Sequence, residues 1–508
     1  MTTADPTAGT FEHFLEPKSA GLGPLGKLGT TILFAIIVVA VFMLKIGWII
    51  PAVLFGMSTG LTLFIATVRD NVTKESTLEH HVARFVYWRG ERTGTNQYRS
   101  GPLTALGSYL LPGFLAQTKL WESTDSAARP YGMVEMPSTN HWAVTVETHP
   151  DGASLRDRGE LRRQVDKHGE ALKALCYEDS CEQAMITMIM SPESGHSMRA
   201  RLNGAVTADA PDYAKQVVAE LGEHASGGAT VGRSFVTLTF NGQRAGKTRT
   251  AQQMADALAS RLPIITKQMS GTGAGRCNLM DGQSITETVR AAYDPGCAAD
   301  LAEAHVQGRP MIMRWDSIGP CAADNHWDYY RHGDAVSVTW SMVDIHGAVN
   351  VDSLSAIVGP HVPDVDVTTV SVVYELRSPG EAPAVAQGDL NAADFRGTTE
   401  RPSRRTLNRA KTALHTAERE SHGDGLVDIA VLVTATVRDR VEDDGSITSA
   451  VDRIPDMVAA IDSGGPQARL LLRRMDGCHA QMVALNQACT GVVAADHQRV
   501  PVALREAL

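Results

Sequence analysis

The sequence has few aromatic residues, no paired cysteines and no excess of positive charge. The last two features argue against a disulfide-stabilised protein and against a nucleic-acid-binding protein. Aromatic residues make up 6% of its 508 residues. The seven cysteines are an odd number without paired spacing, which fits reduced thiols better than a disulfide framework. The formal net charge of −10 argues against a broad nucleic-acid surface, so we expect no direct nucleic-acid binding.

Signatures of catalysis and metal binding are also missing from the sequence. It contains no nucleophile elbow, no dinucleotide fingerprint and no glutamate-flanked histidine pair. Cys321, His326 and His332 cluster in sequence, but their spacing matches no zinc pattern. The glycine-rich stretch 271–275 has no strand before it and is better explained as a flexible loop. We therefore predict a protein that is not an enzyme and binds no cofactor or metal.

The stretch 241–248 comes closest to a nucleotide-binding loop. It follows a predicted strand, opens a predicted helix and ends in Gly246, Lys247 and Thr248, the residue types that contact phosphates and Mg²⁺. Gly242 stands one residue too close to Gly246, which changes the path of the backbone amides that must encircle a phosphate. We predict a polar strand-to-helix turn and keep a nucleotide hydrolase as an alternative function.

Two charge-free apolar stretches, 28–44 and 46–68, are the strongest positive feature of the sequence, and Lys45 separates them. A helix needs about 17–25 apolar residues to cross a bilayer. Trp48 beside Lys45 is an interfacial anchor by residue type. The pattern predicts a two-helix transmembrane hairpin over 28–68.

The orientation of this hairpin follows from its flanking positive residues. Only Lys45 lies in the turn, so the positive-inside rule places both termini in the cytoplasm of a multi-pass inner-membrane protein. The membrane lipid is then a partner, with Lys45, Trp48 and Arg69 as interface anchors. The positive residues on the outer sides are Lys18, Lys27, Arg69, Lys74, Arg84 and Arg89.

Helix packing within the predicted membrane segment would use Gly56 and Gly60. These residues form a small-xxx-small face that permits close approach of another helix. The first span is the nearest candidate for that helix, and a partner subunit is the second.

Strands and helices alternate through the rest of the chain, which suggests a cytoplasmic α+β region. The order strand, helix, strand, helix occurs over 184–262 and again over 367–463. The predicted fold class is therefore an N-terminal transmembrane α-helical hairpin followed by a cytoplasmic α+β (mixed α/β) domain with two related βαβα halves. The predicted domains are a tail (1–27), the hairpin (28–68), a juxtamembrane helix and linker (69–125), the first half (126–265), an inserted segment (266–365) and the second half (366–508).

The chain resembles an actinobacterial family of type IV secretion or conjugation-associated membrane proteins. In that family a PrgI-like two-span hairpin is joined to a region similar to the non-ATPase N-terminal domain of the VirB-type ATPase. The likeness is carried by Tyr98-Arg99-Ser100-Gly101-Pro102-Leu103, by Pro112-Gly113, by 334–340 (Asp-Ala-Val-Ser-Val-Thr-Trp) and by 477–491.

This resemblance implies a function that composition does not. The chain would be a non-catalytic inner-membrane structural subunit of a secretion or conjugation machine. Its cytoplasmic domain would dock a motor ATPase and form homo- or hetero-oligomers with other secretion-system subunits. The chain is also similar to the EccE component of type VII secretion, which implies the same role with folded effector proteins as cargo rather than DNA–protein complexes.

Overall fold

The structure, a computed structural model, describes most of the chain from residue 77 to residue 491. Val38, Phe42 and Lys45 are also described, as helical and exposed positions. The gaps within 77–491 are 105–106, 151, 153–156, 193–203, 205, 208, 225–229, 245, 310, 346–354, 359–363, 398–403, 422, 424 and 442–444.

A 13-stranded antiparallel sheet dominates the described residues. Its order is β1-β10-β11-β12-β14-β13-β5-β6-β4-β3-β2, with β17 also paired to β12 and β9 to β4, while β7–β8 and β15–β16 form separate hairpins. The strands are β1 (Gln97–Arg99), β2 (Lys119–Thr124), β3 (Pro130–Met136), β4 (His141–His149), β5 (Cys181–Pro192), β6 (Thr230–Asn241), β7 (Gln243–Arg244), β8 (Lys247–Thr248), β9 (Arg276–Leu279), β10 (Ala322–Asn325), β11 (Tyr330–His332), β12 (Ala335–Ile345), β13 (Val367–Leu376), β14 (Val427–Arg438), β15 (Arg440–Val441), β16 (Ile447–Thr448) and β17 (Leu470–Arg474).

Helices occupy many of the connections, and several begin at residues suited to capping. Thr250 and Gln253 form a capping box, and the Asp281 carboxylate accepts from the Ser284 N–H. The helices are α1 (Thr77–Thr93), α2 (Arg158–Cys176), α3 (Asp212–His224), α4 (Ala251–Ala259), α5 (Leu262–Ser270), α6 (Gly282–Tyr293), α7 (Cys297–Val306), α8 (Ser355–Val358), α9 (Ala382–Gly397), α10 (Arg404–Ser421), α11 (Ile454–Gln467) and α12 (His479–Leu485).

The central strands are buried on both faces because helices cover both sides of the sheet. Along β6, Phe235 enters the core that α6 and α12 share, whereas Val236 and Leu238 enter the opposite core beneath α4 and α5. This alternation follows from the two-residue period of a strand. A third core, on the same face as the second, lies between β14 and α11.

Two similar halves of the sheet meet where β5 pairs with β13. In the first half, β4, β5 and β6 are followed by the β7–β8 hairpin, α4, α5 and β9. In the second half, β12, β13 and β14 are followed by the β15–β16 hairpin, α11 and β17. Because β5 and β13 run antiparallel, the halves are related by an approximate twofold rotation.

Matching hydrogen bonds support the equivalence of the halves. The Met280 N–H donates to the Thr145 carbonyl, and the Met475 N–H donates to the Thr339 carbonyl, both at 3.0 Å. An Asp-Gly pair follows each of these methionines, and Gly282 begins α6 while Gly477 lies two residues before α12. The same backbone bond therefore starts the same strand-to-helix turn in both halves.

The predicted fold class is wrong. No helix within the described residues combines the length and the apolar character that a membrane span requires, and thirteen of the described strands form one antiparallel sheet. This finding overturns the predicted transmembrane hairpin and the predicted multi-pass inner-membrane location. The segment 266–365, predicted to be inserted between the two halves, instead supplies β9 to β12 of the same sheet, so the halves do not form separate βαβα units.

The residues assigned to membrane roles fall almost entirely outside the part of the chain that is described. Lys45 is described, but Gly56, Gly60, Trp48 and Arg69 are not. The predicted packing face and the other interface anchors therefore lie outside the described residues.

An ion pair between the buried Arg453 and the partly buried Asp366 stabilises the end of the second half. Asp366, just before β13, accepts hydrogen bonds from Arg453 at 2.6 and 3.0 Å and from the Arg438 N–H at 2.8 Å. Burial alone would raise the pKa of Asp366, but these donors outweigh it and hold the pKa below its ordinary value. In the first half, Asp179 and Arg249 occupy the corresponding places at 3.3 Å.

Replacing Asp366 by Asn should destabilise the fold by roughly 3–5 kcal/mol, because it leaves the Arg453 guanidinium buried without its charge partner. Urea denaturation would measure this loss. Because the folded pKa of Asp366 is lowered, its contribution is present above about pH 4 and is lost as pH falls through the folded pKa. The exposed Asp209→Asn variant is the control, with a change within about 0.5 kcal/mol. Equal stability of the two variants would contradict the assignment.

Candidate docking surface

The predicted phosphate-loop residues lie in a β-hairpin. Gln243 pairs with Thr248 and Arg244 with Lys247, and Gly246 has a φ of +76° at the turn. Lys247 and Thr248 are exposed. The next helix, α4, begins only at Ala251, so the hairpin does not lead directly into a helix N-terminus as a phosphate loop does.

A polar corner beside this hairpin escaped the sequence analysis. His141 on β4 contacts Glu182 on β5 at 2.8 Å, and Asn241 on β6 donates to the other oxygen of Glu182 at 2.7 Å. Glu182 reaches both partners because a β-bulge inserts it between the paired residues of β5 and β6. The hydrogen bond from His141 lowers the pKa of Glu182. Nothing in the local sequence signals a bulge, so the cluster could not be predicted.

The cysteine and histidines that cluster in sequence do not converge. Cys321 is exposed, and His326 stacks on Tyr329 with 4.4 Å between ring centroids. His332 is buried, with one ring nitrogen 2.7 Å from the Tyr293 carbonyl and the other 2.7 Å from the Ser337 hydroxyl. Within the described ranges, no group of three or more His, Cys, Asp or Glu residues could hold a metal ion.

One face of α1 is fastened to the rest of the molecule through Trp327. The rings of His80 and Tyr87 meet the Trp327 ring edge-on at 5.9 and 5.3 Å. Behind Trp327 lies Gly477, where an added Cβ would come within 2.6 Å of the indole. Trp327 is therefore held between the helix and the turn that precedes α12.

The opposite face of α1 presents large apolar side chains to solvent. Phe85 is 58% exposed, Val86 57% and Trp88 43%. The guanidinium of Arg92 lies over the Trp88 ring, 3.9 Å from its centroid, in a cation–π contact. Soluble domains rarely expose a contiguous apolar patch without a binding role, so this face is the best candidate functional surface.

Positive charge surrounds the apolar residues of this outer face. Arg89 and Arg92 are exposed there, as is the acidic Glu91, whereas the Arg84 guanidinium lies over the Trp327 ring on the inner face, 5.8 Å from its centroid. Tryptophan and arginine are enriched among the residues that dominate protein–protein binding energy. The outer face of α1, defined here as Phe85, Val86 and Trp88 with Arg89 and Arg92, thus combines both residue types on one rigid helix.

Comparison with known proteins identifies no family for this chain. No protein-family model matches the chain, and no curated protein matches it.

Replacing Trp327 by Ala should loosen α1, because the contacts of His80 and Tyr87 with the indole would be lost. Hydrogen exchange of the α1 amides should become at least tenfold faster while exchange in β6 and β14 stays unchanged. Trp121→Ala, at a half-exposed position on the edge strand β2, is the matched control and should leave α1 exchange unaltered. Unchanged α1 exchange in the Trp327 variant would show that the helix is held by other contacts.

Proposed function

We propose that this chain is a non-catalytic structural subunit of a bacterial secretion or conjugation machine, and that the outer face of α1 docks a motor ATPase. The observation that carries the proposal is the exposure of Phe85, Val86 and Trp88 on a helix whose other face is fixed by Trp327. A fixed helix loses little conformational freedom on binding, which favours association.

The placement of the residues that carry the family resemblance is consistent with this role. Tyr98, the Pro112-Gly113 turn and the 477–491 segment all lie in or beside the core shared by α6 and α12. Residues 334–340 include the start of β12, which pairs with β14. The resemblance is thus carried by packing residues, as expected for a scaffold. A role like that of EccE in type VII secretion remains the alternative, and it uses the same surface.

A docking role predicts loss of the partner when the apolar face is disrupted. Full-length chain carrying an affinity tag in its native host should co-purify an ATPase whose peptides contain Walker A and Walker B motifs. Trp88→Asp should reduce that recovery at least tenfold, because a buried unpaired carboxylate opposes the interface. Tyr213→Asp, at a 79% exposed position on α3, is the control and should leave recovery unchanged. Equal recovery with both variants, or no such ATPase with the unchanged chain, would refute the proposal.

The nucleotide-hydrolase alternative receives no support from the hairpin geometry of residues 243–248. We expect Lys247→Ala to leave binding of a fluorescent Mg²⁺–ATP analogue indistinguishable from the unchanged chain, with no saturable component in either. Lys215→Ala on α3 is the matched control. Saturable binding that disappears only in the Lys247 variant would instead favour the hydrolase.

A further inference from the structure

Strand β2 forms one end of the sheet, and its outer edge is open. Among the described strands it pairs with β3 alone, in an unbroken register from Lys119 opposite Glu135 to Thr124 opposite Pro130. Natural edge strands are often blocked by a proline, a bulge or a covering segment. β2 contains no proline and no bulge. Its outer edge can therefore accept another strand.

The equivalent edge in the second half of the sheet does carry an added strand. β10 corresponds to β2, because β10, β11 and β12 follow one another as β2, β3 and β4 do. The outer edge of β10 is covered by β1, with Gln97 opposite Asp324 and Arg99 opposite Ala322 in an antiparallel pair. The corresponding place beside β2 holds none of the described strands.

A hydrogen bond of β3 shows which backbone groups of β2 face the open edge. Gly132 lies opposite Glu122, but its N–H donates to the Met280 carbonyl at 2.8 Å. Met280 is bonded to β4, which lies on the other side of β3 from β2. Because hydrogen-bonded and non-hydrogen-bonded pairs alternate in an antiparallel ladder, the N–H and carbonyl of Glu122 point away from β3. Those of Leu120, two residues earlier, point the same way.

Exposed apolar side chains flank this edge. Trp121 is 42% exposed on β2 itself. Ile312 is 90% exposed, and the segment that carries it is bonded to Gln283, in the first turn of α6, which packs against Glu122. Because Trp121 and Glu122 point to opposite faces of the sheet, apolar side chains lie near both faces of the edge.

We propose that β2 pairs with β2 of a second copy of this chain, so that the two sheets join antiparallel across a twofold axis. Such an interface uses the same surface of both copies, and the open backbone groups of one strand match those of the other. The proposal does not rest on the proposed function, because β2 and β1, the strand that follows α1, lie at opposite ends of the sheet order.

Charge selects the register of this pairing. A twofold axis normal to the sheet keeps equivalent side chains on one face, so opposed residues must be an even number of positions apart. With the axis at Trp121, Leu120 lies opposite Glu122 of the second copy, and the outward N–H and carbonyl groups of these two residues meet. An axis at Glu122 would set two carboxylates directly opposite each other, which destabilises a sheet. We therefore assign the axis to Trp121.

Analytical ultracentrifugation of the purified full chain tests the strand pairing. We expect a dimer, and Glu122→Pro should raise its dissociation constant at least tenfold, because proline removes an N–H that points to the open edge and leaves the β2–β3 hydrogen bonds in place. Glu122→Ala keeps that N–H and is the matched control, which should dimerise like the unchanged chain. A monomeric unchanged chain, or equal dissociation constants for the two variants, would overturn the proposal.

Disulfide trapping tests the register in a chain that keeps every backbone N–H of β2. Trp121→Cys should form an intermolecular disulfide under mild oxidation, because the Cα atoms of an opposed non-hydrogen-bonded pair lie about 4.5 Å apart, within disulfide range. Tyr213→Cys, at a 79% exposed position on α3, is the control and should stay monomeric on a non-reducing gel. Both variants carry Cys321→Ser, which removes an exposed native thiol. Trapping no faster at position 121 than at position 213 would contradict the pairing.

Discussion

The pairing of β5 with β13 is the constraint on which the rest of the structure depends. It joins the two halves of the sheet over a register that runs from Thr368 opposite Met190 to Glu375 opposite Gln183. At its centre the hydroxyls of Thr187 and Ser371 lie 2.9 Å apart, both buried. Because a one-residue slip would turn every core side chain of β13 to the other face, this pair also fixes the register of β14 and β12.

The same pairing determines which helices cover each face of the sheet. With the halves related by an approximate twofold rotation, α6 and α12 share one face, and the segment after α12 crosses from one half to the other. Asn486 donates to the Thr434 hydroxyl in the second half, and the Cys489 N–H donates to the Thr237 hydroxyl in the first. Gly491 is confined by Ala143, which lies 2.0 Å from the place of an added Cβ. The turn before α12 contacts Trp327, and Trp327 contacts α1.

The sequence predicted local elements better than their arrangement. Strands β6 and β14 lie within the stretches 184–262 and 367–463, where the sequence predicts alternating strands and helices, since runs of β-branched and apolar residues reveal strands that are buried on both faces. Which strands pair could not be predicted, because β5 and β13 are distant in sequence. The bulge at Glu182 and the exposure of Trp88 depend on such distant neighbours too. The transmembrane hairpin was inferred from hydropathy alone, and no described helix has that character.

The proposed contact between the outer face of α1 and a motor ATPase is tested most directly by site-specific photo-crosslinking in the native host. A photoreactive amino acid is placed at position 85 and, for comparison, at position 213 on α3. We expect a crosslink to a Walker-motif ATPase from position 85 and none from position 213. A crosslink to that ATPase from position 213 alone, or from neither position, would contradict it.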